Sequence, residues 1–514
     1  MFGGVATNVC GPRGEEMTMY DRILVQTLAT AALLCGCAHA PDTLDDEEPI
    51  PPIEESRWAG TVALPGGDAL EFSVHIAAGG AAATISIPAQ GVEDAPLSDV
   101  SDDGADLAFT LPVPAAPARF AALRDADGQN ATGTLNQGGM KLLLRMRKLA
   151  ADAVAAAGPN RPQTPKPPFP YATRDAAWDN AADGVTLAGT LTYPDDGAPH
   201  PAVLLITGSG AQDRDETLFA HKPFAVLADA LTRRGFAVLR VDDRGVGGST
   251  AGTGAITVQS NLRDVLASAA FLAAQPEVDP ARVGLVGHSE GGILVAMAAA
   301  AEPERVAFVV ALAGTGVRGD ALLGMQAAAL ERAQGVPEAQ IASDVAQQAA
   351  LMKLVVDGAD GATLRAALDQ AVRARLESGS EVEKAQIRQV GVETLVAQQL
   401  TQLTQPWLRS FLVLDPTESW RQVRCPALVL IGDKDRQVPA AENLAGIRAA
   451  LEAGKNADAT LEAVAGVNHL FQTAGTGAPS EYATIEETMA PAVLARIGDW
   501  LSEQAADPAA APAP

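Results

Sequence analysis

The sequence predicts an α/β domain built on a mostly parallel sheet covered by helices, interrupted by a helical insertion and preceded by a small antiparallel β domain. Three observations carry this expectation. First, residues 202–206, 237–241, 283–286, 307–312 and 427–431 are apolar apart from Arg240 and alternate with helical stretches. Strands with no polar face are those of a parallel sheet covered on both sides. Second, between the fourth and fifth of these runs, residues 319 to about 403 are rich in Ala, Gln, Leu, Glu and Arg and contain no strand-like segment, so they read as helices placed where a lid would sit. Third, residues 57–148 show short alternating segments, such as 70–76 and 83–87, separated by Gly, Asp and Pro turns. That period-two pattern belongs to half-buried antiparallel strands.

The boundaries follow from composition. Residues 38–56 are acidic and Pro-rich, which suits a linker, and a second cluster of prolines marks 151–170 as another. The β domain then occupies 57–150, the α/β domain 171–503, and an Ala/Pro tail 504–514. Ahead of the first linker, residues 23–34 form an apolar run too short to span a bilayer, preceded by Arg22 and followed by small residues, which reads as an export signal. Leu34-Cys35-Gly36-Cys37 within it resembles a bacterial lipobox. The resemblance implies lipidation at Cys37 and a periplasmic or outer-membrane lipoprotein attached through that lipid. Ala38-His39-Ala40 offers a competing secretory cleavage site, and Met17 or Met19 an alternative start. With Cys37 lipidated and Cys10 and Cys35 removed, Cys425 is left as a single free thiol and no disulfide framework forms.

Charge excludes one class of partner. The chain carries 37 Lys+Arg against 63 Asp+Glu, a net charge of −26, which repels phosphate backbones, and no basic stripe interleaved with aromatics offsets it. Nucleic acid is not an expected partner. No His or Cys spacing suggests a metal, and no cofactor is expected.

The chemistry concentrates at Ser289. Serine is a weak nucleophile, so it must be presented sharply, given a base and faced with oxyanion donors. Gly287-His288-Ser289-Glu290-Gly291-Gly292 follows an apolar strand and precedes a helical stretch from Ile293, the context that a G-x-S-x-G nucleophile elbow needs. Side chains at Gly287 and Gly291 would collide with neighbouring backbone in so tight a turn. The amide of Glu290, at a helix N-terminus, is placed to meet the oxyanion. The base follows by elimination. Of six His, His39 lies in the export segment, His75 in the β domain, His200 and His221 flank the first core strand, and His288 adjoins the nucleophile facing away from it. Only His469 follows Ser289, and the order nucleophile, acid, base puts the base last. The acid belongs just after the late strand 427–431, in Gly432-Asp433-Lys434-Asp435. Asp435 is the choice, with Asp433 as competitor, because Gly432 and Asp433 are needed to leave the strand. The second oxyanion donor is expected in Thr207-Gly208-Ser209-Gly210, at Ser209 with Gly210 as the alternative. Asp213-Arg214-Asp215 and Asp242-Asp243-Arg244 read as ion-paired braces.

From about residue 170 to 501 the chain resembles an α/β-hydrolase. It is similar to bacterial serine esterases that combine a Gly-Ser-Gly-x-Gln-Asp-Arg-Asp loop, an Asp-Asp-Arg-Gly turn and a Gly-His-Ser-x-Gly-Gly elbow. Pro406-Trp407-Leu408-Arg409 and Asp415-Pro416 echo that group, and Trp58-Ala59-Gly60, Gly133-Thr134-Leu135 and 137–142 resemble the lipocalin-like module in front of some of its members. The resemblance implies hydrolysis of short acyl esters, small-molecule substrates, without cofactor. Two alternatives stay open: a serine peptidase of the prolyl-oligopeptidase type, and a surface-anchored binding protein with a vestigial hydrolase fold. Gly314-Thr315-Gly316-Val317-Arg318-Gly319 fits the dinucleotide fingerprint but follows the nucleophile unit and opens no short βαβ unit; it reads as a flexible exit into the insertion.

Overall fold

The computed structural model describes residues 54–506 apart from 64–68, 80–81, 88–91, 113–116, 138–139, 151–159 and 380. The expected export segment with Cys37, most of the first linker and residues 507–514 of the tail lie outside the described residues.

The N-terminal unit is a nine-stranded antiparallel sheet formed by β1 (Ser56–Ala63), β2 (Ala69–Ile76), β3 (Ala83–Ile87), β4 (Val92–Pro96), β5 (Ser98–Asp102), β6 (Asp106–Leu111), β7 (Ala118–Arg124), β8 (Asn130–Gln137) and β9 (Met140–Lys148). Its order is β4-β3-β2-β1-β9-β8-β7-β6-β5. The two edge strands are separated in sequence by Leu97 alone, so the sheet has to curl until its edges meet at that corner. Ring positions show the curl. Phe72 on β2 and Phe120 on β7 sit four places apart in the strand order, roughly 19 Å in a flat sheet, yet their centroids are 5.5 Å apart. Trp58, Phe72, Phe109, Phe120, Leu144 and Met146 fill the interior. Gly60 is required there, because a Cβ would lie 2.1 Å from the Phe72 ring. This is the barrel-like packing of a small rolled sheet, filled by its own side chains.

The second unit carries an eight-stranded mixed sheet. Its strands are β10 (Ala172–Asn180), β11 (Val185–Tyr193), β12 (His200–Ile206), β13 (Ala237–Val241), β14 (Val278–His288), β15 (Val309–Leu312), β16 (Ala427–Gly432) and β17 (Ala459–Val464), in the order β10-β11-β13-β12-β14-β15-β16-β17. β11 pairs antiparallel with both of its neighbours, and the remaining pairings are parallel. The all-apolar runs recognised in the sequence are the central strands, and side-chain alternation explains them. In β12, Ala202, Leu204 and Ile206 enter one core while Val203 and Leu205 enter the other. The edges did not announce themselves, because β10 and β17 are half-exposed along much of their length and carry polar residues.

Helices cover both faces. On one side lie α1 (Pro223–Thr232) and, near the C-terminus, residues 491–505 with Val493, Ile497, Trp500 and Leu501. The other side holds α2 (Val258–Ala273) and α3 (Glu290–Ala301). The expected insertion is five helices, α4 (Gly319–Ala333), α5 (Glu338–Val356), α6 (Gly361–Ser378), α7 (Glu381–Val390) and α8 (Val392–Leu403). It builds a core of its own from Leu351, Met352, Val355, Leu368, Val372 and Val396, and α9 (Pro406–Leu412) joins it to the sheet through Leu412 and Phe411. Part of the stretch expected as the second linker is bonded into this unit. Arg161 donates to the carbonyls of Phe219, Ala483 and Ile485, at 2.8 Å, 2.8 Å and 2.7 Å, and Gln163 accepts from the Thr488 and Met489 amides.

Candidate active site

Ser289 stands where β14 turns into α3, at φ +55° and ψ −112°. A non-glycine residue there is strained, and such strain persists only where the surroundings over-determine it. The surroundings are glycines pressed against backbone. A Cβ on Gly287 would meet the Gly291 carbonyl oxygen at 2.1 Å, one on Gly291 the Ile206 oxygen at 2.2 Å, and one on Gly292 the Gly314 Cα at 2.7 Å. The Ser289 amide still extends the strand, donating to the Leu312 carbonyl at 2.8 Å. The residue is half-buried and occupies the N-cap position, at the positive end of a twelve-residue helix, without a side-chain capping bond.

Asp435 and His469 come from the loops after β16 and β17, neighbouring parallel strands whose ends lie side by side. His469 Nδ1 and Asp435 Oδ2 are 2.8 Å apart, with both residues buried. The other oxygen of Asp435 accepts from the amides of Gln437 and Val438, each at 2.8 Å, so the carboxylate is held from two directions. Asp433, the competing acid, turns away and accepts from the Gly466 amide at 2.7 Å. The His469 loop is shaped by the fully buried Asn468, which accepts from the Leu470 and Gln472 amides, each at 3.0 Å.

The loop after β12 closes over Ser289. A Cβ built on Gly208 would lie 3.3 Å from Ser289 Cβ, which puts the start of this loop against the Ser289 side chain. The Gly208 amide is engaged, donating to Glu216 Oε1 at 2.7 Å. No acceptor for the Ser209 amide occurs among the described residues, and the Glu290 amide opens α3 and therefore has no acceptor one turn back. Gly210 stands at φ +107° and is exposed. The expected braces are present. Asp243 Oδ1 accepts from Thr207 Oγ1 at 2.7 Å and its Oδ2 from the Gln212 amide at 2.9 Å. Arg214 clamps the buried Asp242 at 2.6 Å and reaches Asp175 at 3.0 Å, and Arg244 joins Asp183 and Asp264 at 2.7 Å and 2.6 Å. Burial works against the Asp242 carboxylate, but Arg214 and the backbone donors around it hold its pKa below the ordinary value.

Three features were not anticipated. His288 is engaged at both ring nitrogens: its Nδ1 lies 2.8 Å from Glu216 Oε1 and its Nε2 lies 2.9 Å from the His469 carbonyl oxygen. Glu290 is used through its side chain as well as its amide. Asn261 and Trp407 of α9 donate to its buried carboxylate at 3.2 Å and 2.9 Å, while burial pushes its pKa up to about 6. The segment from Gly314 to Gly319 is a packed joint, which corrects the expectation of a flexible exit. A Cβ on Gly316 would lie 2.2 Å from the Asn443 oxygen and one on Gly319 2.1 Å from the Phe411 oxygen, and Thr315 is buried with its hydroxyl 2.6 Å from Asn443 Oδ1. These glycines approach the protein's own backbone, and no space for a pyrophosphate remains between them.

Comparison with known proteins agrees with this architecture. The esterase EstD of Thermotoga maritima is 34% identical over 108 residues, 21% of this chain and 26% of that protein, so the chain spans about a quarter of the length of the curated relative it matches. Among solved structures, the α/β hydrolase GrgF from Penicillium sp. sh18 is 18% identical and covers 65% of this chain and 100% of its own, with a TM-score of 0.39. The Pyrococcus furiosus esterase Pf2001 is 14% identical over 65% of this chain and 92% of its own, with a TM-score of 0.38. Likeness at that level says nothing about substrate. Residues 201–475, more than half of the chain, match the family model described as alpha/beta hydrolase fold. This chain belongs to the α/β-hydrolase fold family.

Proposed function

We propose that this protein is a serine hydrolase of carboxylic esters, acting through an acyl-enzyme on Ser289. The observation that carries the reading is Ser289 at φ +55° on the strand-to-helix turn, with an Asp435–His469 pair at 2.8 Å supplied by the loops after two later strands. In the proposed reaction His469 takes the Ser289 hydroxyl proton as Oγ attacks the ester carbonyl. Asp435 holds the ring with Nδ1–H toward itself and stabilises the imidazolium that forms. The Glu290 and Ser209 amides, with Gly210 beside them, meet the oxyanion. The tetrahedral intermediate collapses as His469 returns the proton to the leaving alcohol, and water then repeats the sequence to release the acid.

The reading as an esterase is supported by the partial match to a protein named as one. The peptidase alternative has less support, since the N-terminal unit is one rolled sheet without repeated blades. Short acyl chains follow from the motif resemblance, and export with lipidation at Cys37 is proposed on the sequence pattern. Turnover of short-chain aryl esters by the native protein and by Ser289→Ala tests the assignment. The variant is expected to lose at least about a thousandfold in kcat and all labelling by a fluorophosphonate; retained turnover refutes it.

A further inference from the structure

Resting on the serine-hydrolase reading, we propose that His288 and Glu216 form a buried imidazolium–carboxylate pair that positions the catalytic loops, and that loss of the His288 proton sets the alkaline limit of turnover. The argument begins with donors and acceptors. His288 Nδ1 faces Glu216 Oε1 at 2.8 Å and Nε2 faces the His469 carbonyl oxygen at 2.9 Å. A carboxylate and a carbonyl can only accept, whereas a neutral imidazole carries a single N–H. A neutral ring opposite an ionised Glu216 would therefore leave one of these contacts as lone pair against lone pair in a buried setting, which is costly. Two protons on the ring satisfy both.

The alternative site for the second proton is the Glu216 carboxyl. The Gly208 amide donates to the same Oε1 at 2.7 Å, so that oxygen already acts as an acceptor, and a carboxylate is in general a weaker base than an imidazole. Burial opposes charge on His288, but Glu216 outweighs it and holds the ring's pKa above the ordinary value. Besides Glu216, the charged or titratable groups facing the ring are Asp435 and His469, whose own ring centroid is 4.8 Å away. The remaining walls are Pro223, Phe224, Leu312, Leu470, Phe471 and Met489, around a void of about 10 Å³. That space has room for about one water, too little to hydrate both ring nitrogens. Glu216 is itself held at φ +52°, backbone strain of the kind kept where a side chain has to be aimed.

The consequence is geometric. Gly208 adjoins the oxyanion donor, His288 adjoins the nucleophile, and the His469 carbonyl belongs to the base. One protonated ring and one carboxylate therefore tie together three loops that come from different strands. Neither residue touches substrate, so both are positioning residues. When the ring loses a proton one of its two bonds goes, and the base loop or the oxyanion loop is released. The sign follows from the raised pKa: the bonds are complete at low pH and are lost as pH rises through the folded-state pKa.

The test combines charge and catalysis. In protein labelled with ¹⁵N-histidine, with the His288 signals assigned by His288→Gln, both ring nitrogens are expected at imidazolium shifts at neutral pH, and Glu216→Gln is expected to return the ring to a neutral tautomer. In kcat against pH for an aryl ester, the alkaline limb of Glu216→Gln should move at least about one pH unit lower. Its kcat should fall on the order of tenfold to a hundredfold with KM little changed, and Glu216→Asp should recover part of the loss. A neutral His288 in the native protein, or an alkaline limb that Glu216→Gln does not move while its thermal midpoint drops, overturns the proposal. The NMR arm decides the charge in the native protein even where Glu216→Gln does not fold, and where His288→Gln does not fold the signals are assigned by sequential correlation from the backbone. A native protein inert to both esters and fluorophosphonate refutes the hydrolase reading instead, and leaves the charge state to be read separately.

Discussion

Gly291→Ala places one methyl group where the proposed nucleophile elbow meets the loop after β12, and its effect can be worked from distances. The added Cβ would lie 2.2 Å from the Ile206 carbonyl oxygen and 2.7 Å from that of Thr207. Both are backbone atoms at the end of β12, so no side chain can rotate aside. Restoring an ordinary contact of 3.4 Å requires α3, and Ser289 with it, to move about 1 Å from the loop carrying Gly208 and Ser209. A displacement of that size in a catalytic constellation costs roughly a hundredfold in rate. The strain costs about 1–3 kcal/mol of stability, as overpacking does elsewhere. The assay is kcat and KM with a short-chain aryl ester beside thermal unfolding. Gly361→Ala is the control, since Gly361 opens α6 with ordinary φ and nothing within 4 Å of the added Cβ; it should keep full activity and gain up to about 1 kcal/mol. A Gly291→Ala protein with native kcat would refute the claim that this contact sets the position of the nucleophile.

Two further outcomes are expected. Asp435→Asn should fold and bind ester but lose about three to four orders of magnitude in kcat, because the ring is then held in the wrong tautomer; Asp433→Asn loses only the bond to the Gly466 amide, costs about 1 kcal/mol in unfolding and should leave kcat within about twofold. Equal losses in the two variants would break the assignment of the acid. Glu290 has its pKa raised from 4.5 to about 6 by burial, against the opposing donors Trp407 and Asn261, so between those pH values the folded state binds more protons than the unfolded and stability falls as pH rises. Denaturant unfolding of native protein and Glu290→Gln from pH 4.5 to pH 7 should therefore show the variant gaining about 2 kcal/mol relative to the native chain across that window; a difference independent of pH would contradict the shift.

The central strands were legible because burial on both faces leaves a plain signature: the stretch of β12 from Ala202 to Ile206 feeds two cores and is apolar throughout. The edge strands were not, since β10 and β17 keep polar residues at exposed or half-buried positions and only their pairing makes them strands. Steric requirements at Gly287 and Gly291 were also readable, because in a tight turn the collision is local. The glycines from Gly314 to Gly319 follow the same physics through partners far along the chain, Gly292, Asn443 and Phe411, and so the same residue type looked like looseness where it marks close packing.

The pair of candidate acids shows the same division. Asp433 and Asp435 both follow β16, and their position after a late strand is a local property that the sequence displays. Which of them meets His469 depends on how the loops after β16 and β17 lie together, a relation fixed by six consecutive parallel pairings between those strands. Glu216 is the more distant case, 72 residues before His288. Elimination among six histidines could dismiss His288 as base, but it could not assign the ring a use, because its carboxylate partner follows β12, which only the sheet order makes the neighbour of β14. Residues that react are named by motif, since their chemistry constrains the adjoining sequence. Residues that hold the reacting ones are named by adjacency of strand ends, and that adjacency exists only once the sheet has formed.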